Sequence, residues 1–392
     1  MPAIVQNDVL VYKGSNFFRQ RLLLSTLSGR SVKIEEIRSS HDDPGLREYE
    51  VNLIRLLDKI TNGTRVELGE TGTSLYFQPG ILIGGQVTHS CCPQRGIGYY
   101  LEVLLALGPF CKEPLNAVLQ GVTHHDLDVS VDKVKAAALP ILLKFILVDD
   151  GLELKVVRRG APPLGGGEIV FKCPVRRHLR PLQWSKWGLV KRVRGVVYAL
   201  RVSPTMANRV VDAAKGVMLK FIPDVYINTD QCRGSNAGKS PGFGISLVAE
   251  TNDKTFYCAE AVSDLPLFIL IYQSYMSVLA CSLSIYWRTV LVKSGIKRVE
   301  GISQFRPGYV YIWKIVKCIL RVSLSVYGFS NVGPLSEYTI KFLQHLKEFF
   351  GVMFKLEVLR DDEDSDEETV VSQKVKLTCV GIGYVNISKR TL

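Results

Sequence analysis

Apolar residues recur along the chain with two spacings, one typical of helices and one typical of strands. Residues 17–27 predict a helix that ends at Gly29, and a short strand follows in which every second residue is apolar. A second helical face then presents Leu46, Tyr49, Leu53, Leu57 and Ile60. Strand-like stretches at 73–77 and 81–87 complete this unit, so the predicted order is helix, strand, helix and β-hairpin.

The same order returns about ninety residues later, and this long period indicates repeated α/β units. Residues 99–107 predict a helix, residues 115–122 a strand and residues 131–147 a long helix. Two further strands are predicted at 152–156 and 168–173. The second unit therefore repeats the first.

A third unit is predicted near the carboxyl end of the sequence. Ser336 is a candidate helix cap, Gly351 a helix stop, and the alternation across 352–358 predicts a strand whose partner is 375–380. Between the second and third units, residues 180–262 carry their own strand, helix and strand pattern. This stretch is expected to be an inserted domain.

The charge balance favours a phosphate-rich partner such as nucleic acid. The 392 residues include 49 Lys and Arg against 37 Asp and Glu, a formal net charge of +12. Seven of the acids lie in one run, Asp361 to Glu368, which we expect to be a solvated hairpin loop, with binding of a basic partner as the alternative. Outside this run the basic surplus is larger still, and such a surplus suits contacts with phosphates.

Basic residues are most concentrated between Lys155 and Arg201. This stretch holds twelve Lys and Arg and a single acid, and Trp184, Trp187 and Tyr198 are interleaved with them. Cations can neutralise phosphates while aromatic rings stack on bases, so the strip favours RNA or DNA over an inert basic surface.

The cysteines predict an intracellular protein with reduced thiols. All nine are scattered and no C-x-x-C pair occurs, so neither a disulfide framework nor a metal site is expected. The first sixteen residues lack the pattern of a secretory signal.

Residues 265–287 contain no charge and are long enough to span a membrane, but Pro266, Gln273 and several serines favour a buried core segment.

Three segments offer candidate chemistry, each with a structural alternative. Asp126, Asp128 and Asp132, which lie close to His124 and His125, suit metal or acid/base chemistry; alternatively, the first two carboxylates stabilise the first turn of the following helix.

Glycine-rich loops are the other two segments. Gly165-Gly166-Gly167 could cradle a phosphate through backbone amides or form a tight structural turn. Residues 234–240 are one residue short of a phosphate-binding loop, and a flexible polar loop is the better interpretation.

Five short motifs together carry a resemblance to a known family: Phe18-Arg19 before Ser28-Gly29-Arg30, Pro44-Gly45-Leu46-Arg47, Pro163-Leu-Gly-Gly-Gly-Glu168, Arg194-Gly195-Val-Val-Tyr198 and Cys379-Val-Gly-Ile-Gly383. The chain resembles the RNA 3′-terminal phosphate cyclase family, in particular its cyclase-like branch found in nucleolar ribosome assembly, over about residues 5–262 and 331–388.

The resemblance implies an α/β fold of three repeated units, each with two helices on a four-stranded sheet, and a smaller inserted α/β domain. The expected boundaries are 1–88 and 89–178 for the first two repeats, 179–285 for the inserted domain and 286–392 for the third repeat. Residues 264–330 are atypical of the branch, which suggests an altered or wrongly translated segment.

Active members of the family attach AMP from ATP to a histidine and pass it to the RNA end. Here Tyr338 occupies the position that matches this nucleophile, and Lys13-Gly14-Ser15-Asn16 replaces the family's Gly-Gly-Gly-Gln. The resemblance therefore implies a protein without cyclase activity, and no cofactor or metal is expected. An active cyclase is the alternative that these two replacements disfavour.

The branch implies a role in 18S rRNA processing within the nucleolar small-subunit processome, with pre-rRNA and a ribosome-assembly GTPase as partners and no membrane. The candidate RNA-binding residues are Arg19, Arg47, Arg158, Arg159, Arg176, Arg177, Arg180, Lys191, Arg192 and Arg194. The alternative is an endonuclease that cleaves pre-rRNA at an early spacer site, with Asp126, Asp128 and Asp132 as its candidate residues.

Overall fold

The computed structural model describes residues 4–6, 9–146, 151–177, 179–180, 188–263, 327–332, 337–359, 374–380 and Asn386. Several sequence predictions lie outside these residues: the uncharged stretch 265–287, the acidic run 361–368, the cap at Ser336 and the two tryptophans of the basic strip.

The first sheet is a five-stranded mixed sheet with two helices. Its strands are β1 Ile4–Gln6, β2 Val9–Lys13, β3 Val32–Glu35, β5 Arg65–Leu68 and β6 Leu75–Gln78, in the order β1-β2-β3-β6-β5. Helix α1 spans Phe18–Ser28 and ends at Gly29, whose φ of 74° suits glycine. Helix α2 spans Glu48–Ile60, and its start is fixed by the Arg47 N–H, which donates to Glu50 Oε2 at 2.8 Å.

The predicted hairpin of the first unit is wrong in its pairing. Strand β6 pairs antiparallel with β5, while β4 Thr61–Asn62 pairs with β7 Ile81–Leu82 in a small separate ladder. The next strand, β8 Gly84–Ser90, leaves the first sheet and joins the second. Gly84 and Gly85 have φ values of 82° and 81°, which turn the chain away. Strand β8 also crosses the expected boundary at residue 88.

The second sheet contains β8, β9 Glu113–Gly121, β10 Glu153–Arg158 and β11 Gly167–Cys173, in the order β10-β11-β9-β8. Helix α3 spans Ile97–Leu107. The long helix predicted at 131–147 is divided into α4 Val131–Lys133, a π-helical turn Val134–Ala138 and α5 Leu139–Ile146. The wide turn ends two residues before Pro140, which lacks the N–H that a regular α-helix would use there.

Residues 190–262 form a sheet and a hydrophobic core of their own, and their assignment to an inserted domain of residues 179–285 stays a prediction. Its strands are β12 Val190–Leu200, β13 Val225–Cys232, β14 Gly242–Thr251 and β15 Phe256–Val262, in the order β13-β12-β14-β15. Helix α6 Pro204–Met218 connects β12 to the parallel strand β13. Apolar residues of β12, β14 and α6 pack together in this core.

The third sheet contains β16 Tyr327–Val332, β17 Phe354–Leu359 and β18 Lys374–Val380, in the order β16-β18-β17. Helix α7 spans Glu337–Phe350 and is followed by Gly351, as predicted. One continuous core joins the three units, because Leu24 of α1, Leu104 of α3 and Phe342 of α7 belong to the same buried cluster.

The fold is therefore α/β, as the sequence predicts. The described strands number five, four and three in the main sheets of the first, second and third units, so a four-stranded sheet in every repeat stays a prediction. Within the described ranges, no helix has both the length and the apolar character needed to cross a membrane.

Candidate functional site

Two arginines and a tyrosine form the centre of a charged cluster between α1 and α3. The guanidinium carbons of Arg19 and Arg95 lie 4.6 Å and 4.5 Å from the centre of the Tyr99 ring, within the range of cation–π attraction. Arg19 also pairs with Glu102 at 2.5 Å. All four side chains are largely or fully buried, so the cluster holds its geometry through its own contacts.

Asp128 fixes the start of α3. Its Oδ2 accepts the Gly96 N–H at 2.8 Å and the Arg95 Nε–H at 2.8 Å. Gly96 is the cap residue of α3, so Asp128 stabilises this earlier helix. The expectation that Asp126 and Asp128 lie in the first turn of the following helix is wrong, because Ser130 caps that helix by accepting the Lys133 N–H.

The cluster is electrostatically balanced rather than strongly cationic. Burial raises the pKa of Glu102 to about 7, and the adjacent Arg19 guanidinium opposes this rise. Arg38 is likewise paired, through two hydrogen bonds to Glu50 at 2.8 Å and 2.6 Å. Each of these arginines thus lies against a carboxyl group inside the protein.

Asp132 is the centre of a second buried network, between the second unit and the inserted domain. Its Oδ2 lies 2.8 Å from His124 Nε2 and 2.6 Å from Arg159 Nη1, and Arg159 Nε donates to Asp230 at 2.6 Å. Burial acts to raise the pKa of Asp132, but the hydrogen bonds from His124 and Arg159 hold it well below its ordinary value. The His124 ring packs on Tyr198, with 4.2 Å between ring centres.

The three aspartates proposed for chemistry thus have separate structural partners. Asp128 binds Arg95, Asp132 binds His124 and Arg159, and exposed Asp126 lies 2.8 Å from His125. The part of the chain that the structure describes contains no group of three or more His, Cys, Asp or Glu side chains placed to hold a metal ion.

Tyr338 lies at the start of α7, beside the loop that precedes α1. Its ring centre is 5.5 Å from that of Phe17, the residue directly after Asn16. Tyr338 also lies near the Arg19 side chain. The structure therefore places Tyr338 beside the residue that follows 13–16, the other segment in which the sequence resemblance predicts a departure from the active cyclases.

His345 lies two turns further along α7, in the core. Its ring centre is 5.4 Å from that of Tyr12 and 5.7 Å from that of Phe17, and its Nδ1 lies 3.3 Å from Gln20 Oε1. Burial lowers the pKa of His345 to about 3. This histidine is a neutral packing residue.

The ten candidate RNA-binding residues divide into two groups. The first group forms ion pairs within the protein: Arg19–Glu102, Arg47–Asp43, Arg158–Glu168, Arg159–Asp132, Arg192–Glu250 and Arg194–Asp224. The second group has no carboxylate within ion-pair distance among the described residues: Arg176, Arg177, Arg180 and Lys191. Arg180 and Lys191 are exposed, and the other two are half-buried.

The glycine-rich loop of the second unit binds the inserted domain. Gly165 O accepts the Lys239 N–H at 2.9 Å, and the Gly238 N–H donates to Arg159 O at 2.7 Å. A Cβ at Gly238 would lie 2.3 Å from Gly165 O, so only glycine permits this approach. The two glycine-rich loops that the sequence offered as phosphate candidates thus pack against each other, and the structural-turn interpretation accounts for Gly165.

Comparison with known proteins identifies the family. A model of the family described as "RTC: RNA 3'-terminal phosphate cyclase" matches residues 10–356. The chain belongs to this family. It is 52% identical to the probable RNA 3'-terminal phosphate cyclase-like protein of Drosophila melanogaster, with all of both chains covered. It is 51% identical to the RNA 3'-terminal phosphate cyclase-like protein of Homo sapiens, with 98% of each chain covered.

A third similar protein carries a functional name. The rRNA processing protein rcl1 of Schizosaccharomyces pombe is 47% identical over 250 residues, which cover 64% of this chain and 69% of that protein. The resemblance inferred from the sequence motifs is therefore confirmed. Arg95, Tyr99 and Glu102 of this cyclase-family chain are not recognisable as site residues from the sequence. An arginine and a glycine before an apolar helix give too weak a signal.

Proposed function

We propose that this cyclase-family chain is a non-catalytic, RNA-binding factor in rRNA processing. The finer proposal is that it acts on the 18S precursor within the nucleolar small-subunit processome, beside a ribosome-assembly GTPase. Support for the coarse role comes from family membership and from the similar fission yeast protein, which is named for rRNA processing.

The observation that carries the proposal is the environment of Tyr338. This residue matches the family's nucleophilic histidine and packs on Phe17, next to the altered loop at residues 13–16. An imidazole offers a neutral nitrogen nucleophile near pH 7, whereas a phenol ordinarily keeps its proton there. Two replacements close to each other support the proposal that ATP-dependent transfer has been lost at this place.

The proposed RNA contact uses three arginines that have no carboxylate within ion-pair distance among the described residues. Arg176, Arg177 and Arg180 follow the end of β11, and the Arg176 and Arg180 backbones are anchored by hydrogen bonds to Pro109 O and Phe145 O. Each cation that reaches a phosphate releases counterions from the RNA, which makes the affinity depend on salt.

The test compares two triple variants for binding to single-stranded pre-rRNA spacer RNA across a salt series. Changing Arg176, Arg177 and Arg180 to Ala is expected to lower the slope of log affinity against log salt by about 2, because each lost phosphate contact on single-stranded nucleic acid accounts for about 0.7. The control changes Arg158, Arg192 and Arg194, which pair with carboxylates, and is expected to alter the slope less.

An equal slope for the first triple variant and the unaltered protein would reject these three contacts. If the unaltered protein does not bind RNA even at low salt, the proposed function itself is rejected.

For the finer proposal, a tagged chain should be found in the nucleolus and should co-purify with 18S precursor RNA and a GTP-binding protein. Exclusion from the nucleus would contradict it.

A further inference from the structure

Three cationic side chains meet at one edge of the inserted domain, and the site described above does not include them. Strands β12 and β13 are parallel, with Leu200 beside Cys232 at their carboxyl ends. Arg201 directly follows the first strand and Arg233 directly follows the second. In open α/β sheets, ligands bind outside the carboxyl ends of parallel strands.

Lys239 joins the other two through the loop after β13. Arg201 Nε donates to Gly238 O at 2.7 Å, so its guanidinium lies next to the backbone of Lys239. The Arg201 N–H donates to Cys232 O at 3.4 Å, which places its backbone beside that of Arg233. Three segments separated in sequence thus bring three cations to one edge.

These cations are exposed and keep their charge available. Arg201, Arg233 and Lys239 are all solvent-exposed, and across the described ranges no carboxylate lies within ion-pair distance of any of them. At the opposite edge of the same sheet, Arg194 donates to both oxygens of Asp224. Among the described residues, Arg194 is therefore paired with a carboxylate at one edge of the sheet, whereas the three cations at the other edge are not.

The surrounding loop adds polar groups suited to phosphate oxygens. Residues Gly234–Asn236 form a single 3-10 turn with no buried residue, so the Ser235 hydroxyl and the Asn236 amide face water. Such groups, together with Arg and Lys, make most protein contacts with nucleic-acid backbones. Because the cations lie on an open surface, the edge suits an extended phosphate chain better than a small enclosed nucleotide.

We propose that Arg201, Arg233 and Lys239 bind consecutive phosphates of single-stranded RNA at this edge. This inference rests on the proposed function and extends it, because it adds Arg233 and Lys239, which lie outside the basic strip, to Arg201 at the end of the strip.

The experiment measures binding of a fluorescent single-stranded RNA to the full chain by anisotropy across a salt series. The variant is Arg233→Gln with Lys239→Gln; Arg201 is kept because its side chain holds Gly238 O. Two lost phosphate contacts should lower the salt slope by about 1.4 and the affinity at 0.1 M salt by about 25-fold.

The matched control is Lys215→Gln with Lys220→Gln. It removes the same charge from the same domain, but at the end of α6 that is remote from Arg201, Arg233 and Lys239, which together form the cation edge. We expect it to leave the slope within about 0.3 of the unaltered protein. A second variant, Arg233→Lys with Lys239→Arg, should keep the slope because the charge is kept.

The outcomes separate the two proposals. If the unaltered protein binds RNA in a salt-dependent way and the Arg233/Lys239 variant behaves like its control, the cation edge is overturned while the proposed function stands. If the unaltered protein binds no RNA, the proposed function fails first. Urea denaturation of each variant checks that a lower RNA affinity is not caused by unfolding of the variant.

Discussion

Arg159 and Asp132 form a buried ion pair with two parallel hydrogen bonds, of 2.6 Å between Nη1 and Oδ2 and 3.0 Å between Nη2 and Oδ1. The same guanidinium reaches Asp230 of the inserted domain. A single arginine thus ties two separately packed parts of the protein together.

Replacing Arg159 with Met is expected to destabilise the protein by about 3–5 kcal/mol, because Asp132 would stay buried without its cation. Urea denaturation measures this change. The neighbouring Arg158→Met variant is the control: Arg158 is 42% exposed and lies 3.7 Å from Glu168, so its loss should cost less than about 1 kcal/mol. Equal effects for the two variants would contradict a special role for Arg159.

His345 should make the protein less stable in acid. Its pKa is lowered to about 3 in the folded state, against about 6.5 when the chain is unfolded. The unfolded state therefore binds the proton first, and stability falls as the pH drops below about 6.5, by about 2.5 kcal/mol between pH 7 and 4.5.

The variant His345→Gln isolates this contribution, since glutamine does not titrate. Its stability at pH 7 should be lower, but its loss between pH 7 and 4.5 should be smaller than that of the unaltered protein. His89, whose pKa burial lowers to about 4, remains in both proteins and gives a common background. Parallel stability curves would reject the assignment.

Two glycine-to-alanine changes should act in opposite directions. At Gly238 a methyl group would lie 2.3 Å from Gly165 O and 2.7 Å from Gly160 Cα, so Gly238→Ala should destabilise the junction by about 1–3 kcal/mol. At Gly216, within α6, nothing lies within 4 Å, so Gly216→Ala should stabilise the protein by about 0.5–1 kcal/mol. Thermal unfolding distinguishes them, and a stabilising Gly238→Ala would refute the close packing.

Incubation with ATP labelled on its α-phosphate should leave no covalent AMP on the protein. Tyr338→Phe should behave identically, because the phenol is not expected to act as a nucleophile. We expect Tyr338→His also to remain unlabelled, since residues 13–16 depart from the family pattern as well. Label that survives denaturation in the unaltered protein and disappears in Tyr338→Phe would establish nucleotidyl transfer.

The elements that could be predicted from the sequence are those with local signals. Helix α1 ends at Gly29 and α7 is followed by Gly351, because a glycine with positive φ stops a helix wherever the rest of the chain lies. The strands β10 and β11 follow from alternation alone.

The features that were missed depend on distant residues. The pairing of β8 with β9 joins residues about thirty positions apart, and no local pattern distinguishes it from a hairpin. Asp128 caps a helix that begins earlier in the chain. The sequence does not show which candidate arginines form ion pairs within the protein, because their carboxylate partners are distant in sequence: Glu250 lies 58 residues from Arg192, and Asp224 lies 30 residues from Arg194.

The contacts of Asn386 have a consequence for how the protein is made. Its side-chain amide donates to Phe110 O and Cys111 O, and its backbone N–H donates to Arg177 O. Because a ribosome delivers residue 386 long after residue 110, these contacts cannot form until about 270 further residues have been synthesised. The contacts between Asn386 and the second unit therefore form late in synthesis. A nascent chain that stops before this asparagine exposes to chaperones the surface that Asn386 would cover.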